Sequence, residues 1–214
     1  MTNWDNSNVR HQPAEFVNAV AQAQRASITL HGLDPCTRTQ AAAHEAGHVL
    51  VGYVYSESIK GARLWAENGR WVGANVRDHE VYRRPEPARL TDEPDRALRC
   101  AVLNLAGFAG EIAAGLEHPS SSVDERMKAQ AFASIVASVW GGTAQHVEAA
   151  AMALCALAIR TNRLSFDTIR GHLFRTRRLT GAEAGRMLHI VRRIELPTGT
   201  SEAAKLDHPL ELAA

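Results

Sequence analysis

Cysteine is scarce in this chain, and what there is carries no pattern. Cys36, Cys100 and Cys155 stand far apart with no C-x-x-C spacing. That excludes a disulfide framework and a cysteine-built zinc site, and reduced thiols of a cytoplasmic protein are the expectation. Long apolar runs are missing too, since nothing approaches the ~20 apolar residues of a membrane span. The opening Met1-Thr2-Asn3-Trp4-Asp5 has neither the basic nor the apolar part of a signal peptide. An excess of one charge is also absent. A net charge of +1 leaves no basic field for nucleic acid or an anionic membrane surface. The arginines at 175, 177, 178, 192 and 193 read as solvated helix faces. No G-x-x-x-x-G-K-[ST] phosphate loop occurs, and there is no internal repeat.

What is present is enough apolar sequence for a core, 45% of residues, arranged mostly at helical period. A short helix is expected after Pro13, within an N-terminal extension over 1–36. A second runs from about Arg38 to Tyr55. Two β-prone runs follow, Ile59 to Ala66 and Arg70 to Val76, and the Asn68-Gly69 between them is a hairpin-turn signal. Beyond a proline-containing loop, Asp95 begins a long apolar helix. Asp124 opens another, with Ser122 as its expected cap. Further helices fit Gln145 to Arg160, Ser165 to Arg175 and Thr180 to Ile194, before a flexible tail over 197–214. The expected fold is mainly α: one helical domain over 37–196 with a small β-hairpin and a C-terminal helical bundle.

Chemistry concentrates in His44-Glu45-Ala46-Gly47-His48. On a helix, residues four apart lie one turn above each other on one face, so two imidazoles can grip one metal ion. Glu45 then stands beside the metal, placed to take a proton from water. Gly47 costs a helix roughly 1 kcal/mol relative to alanine. It therefore implies close approach by something else, either a substrate or another helix.

A catalytic zinc usually takes a third protein ligand and leaves its fourth position to water. Two downstream carboxylates are candidates. Glu111 is a charge inside an otherwise apolar helix, expensive unless paired. Asp124 sits at a helix start, where it could equally serve the helix dipole. The residues alone leave this choice open.

The run from Thr39 through His44-Glu45-Ala46-Gly47-His48 to Tyr53 resembles the motif helix of the FtsH-type ATP-dependent zinc metalloproteases, which carry HEAGHAL there. Gly69-Arg70-Trp71-Val72-Gly73 is similar to that family's strand ending in a glycine-flanked turn. Leu105-Ala106-Gly107-Phe108-Ala109-Gly110-Glu111 resembles its LGGRAAEE helix, Ser122-Val123-Asp124 its SND element, and Leu179-Thr180-Gly181-Ala182-Glu183 its LDGEE segment. The resemblance spans about Thr37 to Leu188 in the same order. It implies a zinc metalloendopeptidase with His44, His48 and Asp124 as zinc ligands and Glu45 as general base. It also implies that Glu111 supports a ligand from behind.

The same family carries membrane spans and an ATPase module, and this sequence shows neither. The expected substrates are therefore unfolded or flexible polypeptides, with a separate ATPase and homo-oligomerisation as possible partnerships. An extended substrate is expected to pair with the strand at Trp71, Val72 and Gly73. Three alternatives stand beside this reading. They are a zinc-stabilised regulator or adaptor descended from a protease, a hydrolase acting on a small molecule or modified peptide, and a helical interaction protein without metal.

Overall fold

The computed structural model describes residues 36–55, 58–77, 87–116 and 122–198. The expected helix after Pro13, His118 and the tail beyond Thr198 lie outside the described residues. Six helices and three strands follow in the order α1 (Arg38–Val54), β1 (Ile59–Glu67), β2 (Arg70–Arg77), α2 (Pro94–Ala113), α3 (Val123–Trp140), α4 (Ala144–Thr161), α5 (Arg163–Thr176), β3 (Arg178–Thr180) and α6 (Gly181–Leu188). A short 3-10 turn, Pro87–Arg89, precedes α2. The protein is mainly helical with a small antiparallel sheet.

α2 is the centre. Ala97, Leu98, Ala101, Val102, Leu105 and Ala106 leave almost no surface exposed, and the helix packs against α1, α3 and α4. A helix apolar nearly all round belongs in a core. α1 is buried just as fully. It starts from a reciprocal cap in which Thr37 Oγ1 accepts from Gln40 N at 3.3 Å and Gln40 Oε1 accepts from Thr37 N at 2.7 Å. At its far end the Tyr55 hydroxyl donates to Leu154 O, 2.9 Å away in α4.

α1 and α2 cross where both are smallest. A Cβ on Gly47 would overlap the carbonyl oxygen of Ala106, and one on Gly110 would overlap that of Ala43. Gly47 is therefore explained by a tight helix crossing.

The hairpin turns at Asn68 and Gly69, whose φ angles of 51° and 76° are the left-handed pair that a two-residue turn requires. β1 pairs with β2 on one side and with β3 on the other, giving the order β2-β1-β3. The third strand adds to the expected hairpin, and three residues are too few to show a period in sequence. β2 is consequently an outer strand.

Two expectations are corrected. The last helix ends at Leu188, well before Ile194. The chain departs because Arg192 N donates to Asn162 Oδ1 at 2.7 Å, and Arg192 O accepts from Asn162 Nδ2 at 3.1 Å. Ile194 and Leu196 then pack on the core instead of continuing a helix. Ser122 precedes α3 as expected but makes no side-chain cap. All three cysteines are unbridged, and Cys100 and Cys155 are buried. No single helix among the described residues is long and apolar enough to cross a membrane.

Candidate metal centre

His44 and His48 share one face of α1, their rings edge to face with centroids 4.8 Å apart and their Nε2 atoms separated by 3.2 Å. Glu125, in the first turn of α3, completes the group. Its Oε2 lies 3.2 Å from His44 Nε2 and 3.1 Å from His48 Nε2, with Oε1 3.0 Å from the latter. Two nitrogens and one oxygen thus mark a nearly equilateral triangle. A tetrahedral ion with bonds of ~2.0–2.1 Å holds its donor atoms roughly 3.3 Å apart. The donor set therefore has the spacing to hold one small metal ion.

The carboxylate in this triangle is Glu125, and Asp124 is exposed and outside the group. Consecutive helical residues point about 100° apart, so only one of the two can face the histidines. With α3 beginning at Val123, that one is Glu125. The group that the structure brings together thus includes Glu125, the neighbour of the expected third ligand Asp124.

Glu111 lies behind the pair. Fully buried in α2, its Oε1 accepts from His44 Nδ1 at 2.7 Å. With Nδ1 carrying the proton, Nε2 is left as a lone-pair donor facing His48 and Glu125. Gly107 makes this arrangement possible, because a Cβ there would overlap the His44 ring. Burial disfavours a charged His44, but the carboxylates of Glu125 and Glu111 outweigh it and raise the imidazole pKa well above its ordinary value. Burial likewise works against Glu125 ionising, and the two histidines overcome it, holding the carboxyl well below the usual range.

Glu45 is buried and turns toward the hairpin. Asn75 Nδ2 donates to its Oε2, and a Cβ on Gly73 would overlap the Glu45 carboxylate. The missing side chain at 73 lets β2 lie directly over this acid. Strand alternation places Trp71, Gly73 and Asn75 on the same side, facing α1. Val72, also expected at the substrate strand, turns the other way.

Edge geometry separates these residues further. Leu64 N donates to Arg177 O on the β3 side of β1, so the Leu64–Gly73 pair is not hydrogen-bonded, and the Gly73 backbone groups face outward. Trp71 N faces outward also, and donates to Cys36 O at 2.9 Å. Of the three expected strand residues, Gly73 alone combines an outward backbone with a place over Glu45.

Sequence reasoning missed two residues here, Glu125 and Asn75. Glu125 carried the same signal as Asp124, an acid at a helix start. Asn75 was detectable only through its even spacing from Gly73. No family model matches the chain, and no characterised protein sequence matches it.

Proposed function

We propose that this protein is a zinc-dependent peptidase acting on flexible or unfolded polypeptide. The observation that carries the reading is the separation of roles around one point. His44, His48 and Glu125 converge as a donor triangle, while Glu45 stays out of it and is held beside it by Asn75. A site built only to stabilise the fold needs no further carboxylate at that place.

In this reading His44, His48 and Glu125 would hold the ion. Zinc bound there would lower the pKa of a water towards ~7 and polarise a substrate carbonyl. Glu45 takes the proton as the water attacks and returns it to the departing amine. The Asn75 amide keeps the Glu45 carboxylate aimed during that exchange, and Glu111 fixes the tautomer of His44. Gly73 brings a strand edge within reach of the substrate backbone, as in β-strand addition. A separate ATPase and self-assembly remain part of the proposal as ways of presenting unfolded chains.

The test is the zinc-loaded wild type beside Glu45→Gln on unstructured peptides. Full zinc content in both, with cleavage only in the wild type, is the expected result. Equal cleavage by Glu45→Gln removes the proposed base and with it the mechanism. Zinc-bound wild type that cleaves no peptide leaves the regulator reading in its place.

A further inference from the structure

The edge of β2 is closed at one end by the protein's own chain. Trp71 N, the outward donor nearest the hairpin turn, is occupied by the Cys36 carbonyl. Among the described residues nothing pairs with the outward backbone groups of Gly73 or Asn75. A peptide lying along this edge can therefore bond at Gly73 and towards Arg77 but meets the Cys36 segment at Trp71. Gly73 and Asn75 are also the residues that touch Glu45, so the bond to be cut lies at their level. From Gly73 to Trp71 is two residues, roughly 7 Å of strand.

A cation sits at the closed end. Arg38 lies between two rings, its guanidinium carbon 5.3 Å from the Trp71 centroid and 5.0 Å from that of Phe174. One of its nitrogens donates to Arg175 O at 2.9 Å, while its Nε is buried and has no hydrogen-bond partner. Among the described residues no carboxylate pairs with it. Arg70, the first residue of β2, adds a second positive charge beside Trp71.

Resting on the peptidase reading, we infer that the substrate is the C-terminal end of a peptide, from which one or two residues are released. Antiparallel pairing, the more stable arrangement per residue, runs the substrate with its C-terminus towards Trp71. There the Cys36 segment stops it, and Arg38 meets its carboxylate. The reaction is a simple hydrolysis. The peptide C–N bond breaks and a C–O bond forms to the water oxygen. One water proton passes through Glu45 to the leaving amine, which departs as a free amino acid or dipeptide. Long chains crossing the site from end to end are excluded by the same wall.

The experiment uses the zinc-loaded full chain and N-acetylated octapeptides of one sequence, ending in a free carboxylate or a carboxamide, with products identified by mass. The expected products are single residues or dipeptides from the C-terminus of the acid. The amide should be slower by about tenfold or more, the worth of a charge-assisted hydrogen bond. Arg38→Gln should raise KM for the acid and bring acid and amide to the same kcat/KM, with zinc content unchanged. Should that variant fail to fold, the wild-type comparison decides alone. Internal cleavage at equal rates in acid and amide, or release from the N-terminal side, overturns the inference while leaving a peptidase. No cleavage of any peptide by zinc-bound protein overturns the peptidase reading and this inference together.

Discussion

His44 Nδ1 and the Glu111 carboxylate meet at 2.7 Å across the crossing of α1 and α2. The contact joins the candidate metal centre to α2, in the middle of the core. It also accounts for a charge in an otherwise apolar segment, since Glu111 gains a donor where water cannot reach. Glu111→Gln keeps the volume and loses the charge. Zinc affinity is expected to fall about 10- to 100-fold with the fold retained, as read by competition against a chromophoric chelator. Unchanged affinity would separate Glu111 from the centre.

Glu125 and Asp124 offer a sharper comparison. Glu125→Ala should lose most bound zinc, because a direct donor is removed, whereas Asp124→Ala should keep one zinc per chain. Elemental analysis of the two purified variants checks this. The reverse pattern would mean that α3 begins one residue out of register with the structure.

Two glycines separate stability from chemistry. Gly47→Ala forces a methyl into the Ala106 carbonyl at a backbone crossing. Overpacking of this kind costs about 1–3 kcal/mol, so the thermal midpoint should drop markedly. Gly73→Ala instead presses on the flexible Glu45 side chain. Zinc and the midpoint should be nearly preserved while kcat collapses. Loss of zinc in Gly73→Ala would show that the hairpin supports the ligands as well as the base.

The carboxylates around His44 make the metal-free site sensitive to pH. His44 has its pKa raised, so its contribution to stability is complete below ~6.5 and fades as pH rises through the raised value. Glu125 has its pKa lowered, so its contribution is present above ~4.3 and fades as pH falls through the lowered value. Chelator-treated protein should therefore be most stable between about pH 4.5 and 6.5, and should weaken on the alkaline side. Zinc requires neutral imidazole, so the gain in Tm on adding zinc should grow as pH rises. Paired melting curves with chelator and with excess zinc test both signs. A zinc-induced gain that shrinks with pH would contradict the assignment.

Much of this was legible in the residues because its causes are local. The Asn68-Gly69 turn and the i, i+4 histidines each depend on a few neighbours. Glu111 was legible because a charge in an apolar helix must find a partner. The remainder depends on distant contacts. Which of Asp124 and Glu125 faces the histidines is set by where α3 begins, one residue either way. β3 exists only because β1, more than a hundred positions earlier, offers it an edge. α6 stops early because the Asn162 side chain binds the backbone at Arg192. No periodicity in the segment itself could announce either event.

An open strand edge is also a hazard, because it can template pairing between molecules. Here the exposure is rationed. β3 covers one side of β1, the Cys36 carbonyl blocks the outer strand at Trp71, and among the described residues unpaired edge groups begin at Gly73, directly above the buried Glu45. The protein's own chain thus takes up one end of the edge that a neighbouring sheet would otherwise use.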